Sequence, residues 1–320
     1  DVLQKLQAKH PIIDAILAFR ELSKLKSTYV DALPQKVNSK TNRIHTSFNQ
    51  TIVSTGRLSS NNPNLQNIPI RTDRGREIRK AFIASSADHL LLSADYSQIE
   101  LRVVAAFSGD TNMIQAFIES KDIHRATAAK VYGVSEEEVS TQMRRNAKAV
   151  NFGIIYGQSA FGLSENLGIS RSEAKEIIDN YFLQYAAIKK YMEETIHFAQ
   201  ENGFVKTLMG RKINLPNINS ANQTVRGFAE RVAINAPIQG SAADMIKLAM
   251  IKIQREIKAQ NLASKMILQV HDELIFDVPK SEVALMRQLV VDNMASAMTL
   301  PNHVPVIAEA GVGSNWLDAH

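Results

Sequence analysis

Twelve residues, Leu91-Leu92-Ser93-Ala94-Asp95-Tyr96-Ser97-Gln98-Ile99-Glu100-Leu101-Arg102, restrict the fold more than any other stretch of the chain. Leu91 to Ala94 form a short apolar run with the length of a buried strand. Ser97 and Glu100 follow in the S-x-x-E spacing of a capping box, and Val103, Val104 and Phe107 continue at helical positions. The spacing thus predicts Asp95 at the end of a buried strand, where an ionised carboxylate is costly unless something pairs with it. Its partner is either a metal ion or an arginine.

A second constellation lies in the helix predicted over Met143 to Gly157, where Arg144, Lys148, Phe152 and Tyr156 stand four residues apart. Four-residue steps drift by only about 40° around a helix, so the four side chains share one broad face. Cations suit a triphosphate and a ring suits a stacked base, so this face could hold a nucleotide end to end. The third constellation is His271-Asp272-Glu273, which interrupts two apolar runs within Met266 to Val278 as at a hairpin tip. A structural turn would favour Asn-Gly or Asp-Gly there, so the ionisable residues point to function. If the strands ending at Asp95 and Asp272 are neighbours, the two carboxylates converge. Without cysteines or clustered histidines, such a pair suits a hard, oxygen-loving cation such as Mg²⁺. No G-x-S-x-G, Walker A or G-x-G-x-x-G pattern is present.

Charge is unevenly placed. Residues 1–80 carry 14 basic and 6 acidic side chains, a balance of +8, against about −3 for the rest. That asymmetry fits either a polyanionic partner or a well-solvated basic surface. Asp1 to about Val37 reads as helix with Ile12, Ile13, Ile16, Leu17 and Phe19 as its apolar face, and the absence of an initial methionine suggests a fragment. Asn38 to Lys80 is a long polar segment, either functional or a turn-rich surface loop. Its amides and arginines suit sugar and phosphate oxygens, and Arg71, Arg74, Arg76, Arg79 and Lys80 add a basic cluster. Capping boxes at Ser135–Glu138 and Ser170–Glu173 predict further helix starts, the second helix running to about Gln200 and stopping at Asn202-Gly203. Thr207 to Leu215 is expected to be a small hairpin or an irregular connection, and residues 224–258 a helix broken near Pro237 and Gly240.

Together these segments resemble the family A DNA polymerases, the bacterial DNA polymerase I type. Asp95 to Arg102 is similar to the family's motif A, the Arg144, Lys148, Phe152, Tyr156-Gly157 series to motif B, and Val270 to Glu273 to motif C. Thr55-Gly56-Arg57-Leu58-Ser59-Ser60 and Pro63 to Pro69 are similar to the template-primer segment. Arg231, Asn235 and Gln239 follow the R-x-x-x-N-x-x-x-Q pattern of a further helix.

The resemblance implies an α+β right-hand fold. A remnant of a thumb would occupy residues 1–37, and an antiparallel, helix-backed palm would be split between 38–110 and 224–320. Helical fingers would be inserted at 111–223. It implies template-directed transfer of deoxynucleotides from dNTPs to a primer 3′-hydroxyl, in replication and repair, by a monomer in the bacterial cytoplasm with no membrane partner. Asp95, Asp272 and the Tyr96 carbonyl would hold two Mg²⁺ ions that are not tightly bound without substrate. Arg144 and Lys148 would serve catalysis and hold the triphosphate, with Ser97, Gln98, Ile99, Glu100, His124, Phe152 and Tyr156 completing the nucleotide site. Arg57, Asn64, Gln66, Asn67, Arg231, Asn235, Gln239 and His271 would line the DNA. Glu100 would crowd the sugar 2′ position against ribonucleotides; the capping-box spacing also makes it the reciprocal arm of the cap at Ser97, and both roles can hold, since a capped glutamate is a fixed one. Phe152, where relatives can carry Tyr, implies poor acceptance of dideoxynucleotides. Upstream 5′-nuclease and 3′–5′ exonuclease-like domains are expected to lie outside the chain. A Mg²⁺-dependent nuclease and a non-catalytic DNA-binding module are the alternatives.

Overall fold

A computed structural model describes residues 2–70 and 72–320; Asp1 and Arg71, named above in the first helix and the basic cluster, lie outside the described residues. The architecture is a four-stranded antiparallel sheet with helices around it. Four strands build the sheet: β1 (His89–Tyr96), β2 (Lys265–Val270), β3 (Glu273–Pro279) and β4 (Ala308–Gly313), in the order β4-β1-β3-β2. β1 is therefore central, and its register pairs Asp95 with Glu273 on one side and with Glu309 on the other.

Side chains alternate between the faces of a strand, and here the alternation separates two cores. Leu92, Ala94 and Tyr96, with Leu274, Phe276 and Val278, enter the main core. Its helical partners are α2 (Ile99–Ser108), the long α7 (Gln223–Ala259) and α8 (Val283–Ala295). Leu91 and Ile275 face the other way, into a smaller cluster with Leu65, Ile68, Val270 and Trp316. Each large apolar side chain buried this way contributes about 1.5–3 kcal/mol, so a one-residue slip of β1 would invert both cores and is strongly disfavoured. Asp95 lies on the second face, away from the main core.

A helical layer follows in sequence: α3 (Ile123–Tyr132), α4 (Thr141–Ile155), α5 (Arg171–Gln184) and α6 (Ala186–Asn202). Side-chain caps start three of these four. Asp122 accepts the backbone N–H groups of His124 and Arg125, Ser140 accepts that of Met143, and Ser170 with Glu173 forms a complete capping box. Gly203, at φ 74°, closes α6 as expected.

Several expectations need correction. The strand at Asp95 runs eight residues rather than four. Ser97 and Glu100 do not cap α2: Gln98 holds the N-cap position in a left-handed conformation (φ 54°) with no side-chain cap bond, because Glu100 is drawn elsewhere. Ser135–Glu138 closes a turn through the Ser135 N–H and Glu138 Oε2 (2.9 Å), and the helix starts only at Thr141. The helix expected to reach Gln200 is two helices, divided at Tyr185 (φ −124°, ψ 55°), whose buried hydroxyl meets Thr127. α7, by contrast, is unbroken. Pro237 lies inside it, the Ser241 hydroxyl donates to the Pro237 carbonyl (2.7 Å), and Gly240 admits Thr207 and the Thr55 carbonyl where a Cβ would collide. Burial along this helix outweighs the lost hydrogen bond of one proline.

The N-terminal helix α1 (Ile12–Leu25) does not bury the apolar face assigned to it. Ile13 is buried and Leu17 half-buried, but Phe19 is 70% exposed and Ile12, Ile16 and Leu22 are also exposed, because the helix packs chiefly on its own chain neighbours. Of the two forms expected near 207–215 a hairpin is present, but it starts earlier, its strands being Phe204–Lys206 and Lys212–Asn214.

Candidate active site

Asp95 and Asp272 meet because β1 and β3 are neighbours. β2 and β3 are joined by a two-residue loop, His271-Asp272, in which His271 takes φ 55°. The Tyr96 N–H donates to the Asp272 carbonyl (3.3 Å), which ties that loop to the end of β1. Asp95 Oδ1 is buried and has no hydrogen-bond partner among the described residues. Burial, then the Asp272 and Glu273 charges, push the Asp95 carboxyl well above the usual carboxylate range, against smaller opposing effects of His320 and the Tyr96 backbone. Burial, with the charge of Glu100, also raises Asp272. Two acids that resist ionising side by side form a site that a cation would relieve.

Glu273, paired with Asp95 in register, behaves in the opposite way. Burial alone would raise its carboxyl, but hydrogen bonds outweigh burial and lower it. Oε1 accepts from Ser93 Oγ (2.6 Å) and Trp316 Nε1 (2.8 Å) and faces His320 Nδ1 at 3.3 Å. Arg79, buried and stacked over Trp316 at 4.1 Å, lies 3.7 Å from Oε2. Arg79 is thus an internal counter-ion rather than part of a surface cluster; Arg76 and Lys80 are paired with Asp73 and Glu77.

Opposite the acids stands α4. A cleft of about 610 Å³ is lined by Asp95, Tyr96, Gln98, Ile99, Glu100 and Asp272 from the sheet side, with Arg57, Gln66 and His271. From the helical side it is lined by His124, Arg144, Lys148, Phe152 and Tyr156. Arg144 is held by Asp122, its Nε donating to Oδ2 at 2.6 Å, whereas Lys148 forms no ion pair among the described residues. His124 is buried, and burial, with the nearby Lys148 and Arg144 charges, pushes it down to about 4 despite Asp122. Its neutral ring faces Asn151 Nδ2 through Nδ1 (3.1 Å), which puts the proton on Nε2, and it lies 5.7 Å from the Phe152 ring.

Glu100 joins the two sides. It accepts from Arg57 Nη2 and from the Tyr156 hydroxyl, both at 2.6 Å. These bonds explain why it does not cap α2.

The remaining expected residues are spread around the cleft. Ser97 is spent on the sheet edge, its N–H donating to Ile307 and its carbonyl accepting from Arg102 Nε. Gln66 is fixed by the Ser60 N–H and by Gln269. Asn64 and Asn67 are exposed on the polar loop, where Asn64 closes an Asx turn to the Gln66 N–H. Arg231, Asn235 and Gln239 follow one face of α7 outside the first cleft. Arg231 lines a second cavity of about 810 Å³ with Lys148, Phe152 and Tyr156, and Gly157 (φ 64°) lets it approach where a Cβ would lie 2.6 Å from its Cγ. Asn235 Oδ1 is buried without a partner among the described residues. α4 therefore separates two cavities and presents side chains to both.

Sequence reasoning missed Asp122 and Lys247, and it named Glu273 in the hairpin-tip run without its buried partners Ser93, Arg79, Trp316 and His320. Lys247 lines the first cleft from α7, and burial and Arg211 lower its pKa. Asp122 carried a readable signal as a helix-capping residue two positions before His124; Lys247 carried none beyond its charge.

With this geometry in place, comparison with known proteins is informative. The sequence matches the DNA polymerase family A profile over residues 1–318. It is 50% identical to DNA polymerase I of Bacillus subtilis over 319 residues, all of this chain but 36% of that protein. It is 52% identical to DNA polymerase I of Pseudomonas aeruginosa over 305 residues, 95% of this chain and 33% of that one. Among solved structures, the POL domain of Pol1 from M. smegmatis, in complex with DNA primer-template and dNTP, superposes with a TM-score of 0.94 at 45% identity. That match covers 99% of this chain and 56% of the other. The chain belongs to DNA polymerase family A. It spans about a third of the length of the curated relatives it matches. Among the described residues no helix is long and apolar enough to cross a membrane.

Proposed function

We propose that this chain carries template-directed DNA synthesis, adding deoxynucleotides from dNTPs to a primer 3′-hydroxyl. One observation carries the reading: a cleft with two acids of raised pKa on one wall, one of them with a buried oxygen that has no partner among the described residues, and a cation-and-ring helix face on the other. The M. smegmatis domain, a complex with DNA primer-template and dNTP, supports carrying those partners over to this chain. In this reading the sheet with its flanking segments (38–110 and 224–320) is the palm, 111–223 the fingers and 1–37 part of a thumb.

The donor set fits a hard divalent cation. Asp95 offers a buried oxygen without a partner, Asp272 a second carboxylate, and the Tyr96 carbonyl a neutral oxygen. Among the described residues no three His, Cys, Asp or Glu side chains cluster as a closed metal cage. Mg²⁺ is bound in this way elsewhere, through one or two carboxylates plus substrate phosphates, so occupancy is expected to require nucleotide. When bound, a pair of such ions favours the ionised primer hydroxyl and stabilises the charge on the departing phosphate.

The chain's own residues do the rest. Arg144, Lys148 and the Nε2–H of His124 hold the triphosphate, while Phe152 and Tyr156 bound the base and sugar. The primer 3′-hydroxyl loses its proton to solvent, its oxygen bonds to the α-phosphorus, the bond to the bridging α–β oxygen breaks, and pyrophosphate leaves with its charge held by Arg144 and Lys148. Arg57, Gln66 and His271, with Arg231, Asn235 and Gln239 on α7, face the primer-template. Donors in the minor groove can test pair geometry through acceptors common to all correct pairs.

The test is extension of a labelled primer on a DNA template with Mg²⁺ and dNTPs, beside an Asp272→Ala control. Extension in the parent and none in the control is expected. A parent that shortens the primer, or binds DNA without extending it at high enzyme and DNA concentrations, sinks the reading.

A further inference from the structure

We propose that Asp122 is a positioning residue for the incoming triphosphate, holding the Arg144 guanidinium edge-on so that its terminal nitrogens are presented before any nucleotide arrives. The inference rests on the reading of the cleft given above and deepens it.

Asp122 is itself immobilised by backbone. As the N-cap of α3, its Oδ1 accepts the N–H groups of His124 (3.0 Å) and Arg125 (3.1 Å), which fixes the carboxylate plane. The other oxygen, Oδ2, accepts from Arg144 Nε at 2.6 Å. An arginine gripped at Nε alone keeps its forked end free, and the two terminal nitrogens of Arg144 have no partner among the described residues. Arg144 lines the cleft with Lys148 and His124, but Asp122 does not. The negative charge therefore stands behind the cation, where it can orient the fork without confronting a triphosphate.

The grip is one of two between the same helices. Seven residues along α4, Asn151 Nδ2 meets His124 Nδ1 (3.1 Å) and also Thr127 Oγ1 (3.1 Å). Residues 144 and 151 share a face of α4, so the two contacts fix the register of α3 against it. Asp122 thus positions Arg144 through its side chain and His124 through its backbone.

Asp122→Asn separates orientation from capping, because asparagine is an equally good N-cap but carries no charge to hold Arg144. Extension kinetics would be measured for the parent, Asp122→Asn, Arg144→Ala and the double variant. In the Arg144 background Asp122→Asn should raise the KM for dATP about five- to twenty-fold and change kcat by less than about twofold, since bound triphosphate then holds the fork itself. In the Arg144→Ala background the same exchange should change KM by less than about twofold. An equal loss in both backgrounds would make Asp122 merely structural. An unchanged or lowered KM in the single variant would make it a neighbouring charge whose removal helps an anion. Either result overturns the proposal. A parent that does not extend primers refutes the polymerase reading instead, and the same cycle read in equilibrium dATP binding then decides the role of Asp122, with the same fold-changes expected in Kd.

Discussion

The two walls of the cleft are built on opposite principles. On the sheet side, strand register places Asp95 and the two-residue loop beside it places Asp272, and Asp95 has less to bind than it needs: its Oδ1 is buried without a partner among the described residues. On the helical side two groups are tethered from behind or at one end, Arg144 at Nε by Asp122 and Tyr156 through its hydroxyl by Glu100, while Lys148 and the Arg144 fork have no partner among the described residues. The first wall stores an electrostatic demand that a cation meets. The second keeps a cation oriented from behind and a ring tethered, with the ends that face the cleft left open. In the proposed function, such a division lets the site stay folded while empty and become complete when a cation meets the acids and a triphosphate meets the cationic helix face.

The largest effects should come from the sheet wall. Asp95→Ala is expected to lower primer extension by roughly a thousandfold or more while leaving the far-ultraviolet circular dichroism unchanged, since charge stabilisation at the reacting phosphate is lost. Arg144→Ala should cost about a hundredfold in kcat/KM for dNTP, read by single-nucleotide incorporation. If Arg144→Ala proved as damaging as Asp95→Ala, the helical wall would be no more replaceable than the other.

Glu273 sharpens the contrast within the sheet itself. It lies opposite Asp95, yet Ser93, Trp316, His320 and Arg79 satisfy it. Glu273→Gln leaves that buried Arg79 without its counter-ion and should destabilise the fold by about 2–4 kcal/mol, measurable by urea unfolding. Asp95→Asn should instead stabilise the metal-free protein, by about 1–2 kcal/mol, because it removes a charge that is penalised on folding.

The smallest effect is the most diagnostic, since the walls should respond to pH with opposite signs. Asp95 has a raised folded pKa, so the native state holds the proton more tightly. Metal-free stability therefore falls as pH rises from about 4 toward neutrality, and levels off above the raised value. His124 has a folded pKa pushed down to about 4, so the unfolded chain binds that proton first. Its contribution is complete above the ordinary histidine range and is lost as pH falls from about 6.5 toward 4. Unfolding of Asp95→Asn and His124→Gln across this range should each remove one slope. Variants that shift the midpoint by the same amount at every pH would show that neither titration is linked to folding.

Much of this was legible in the residues, and the reasons differ by element. Two apolar runs that each deliver one acid let Asp95 and Asp272 converge if their strands were neighbours, which the antiparallel pairing of β1 with β3 shows them to be, and α4 follows from four-residue spacing. What could not be read were choices made by tertiary partners. Ser97 and Glu100 have capping-box spacing, but Arg57 and Tyr156 offer Glu100 stronger partners than a helix N-terminus does. Pro237 and Gly240 look like breaks, yet the burial of α7 carries it through both. Arg79 reads as one of a basic cluster, and only the fold reveals Glu273 and Trp316 around it. Local pattern chooses the element; long-range packing decides where each polar side chain spends its bonds.

The central claim is that the acids of one wall await a cation which the triphosphate held by the other wall completes. Mn²⁺ titration, with free ion followed by electron paramagnetic resonance, tests it directly with and without dATP. The account predicts weak binding to the protein alone, binding at least about tenfold tighter with dATP, and loss of that gain in both Asp272→Asn and Arg144→Ala. Tight Mn²⁺ binding without nucleotide, or a dATP-dependent gain that survives both substitutions, would contradict it.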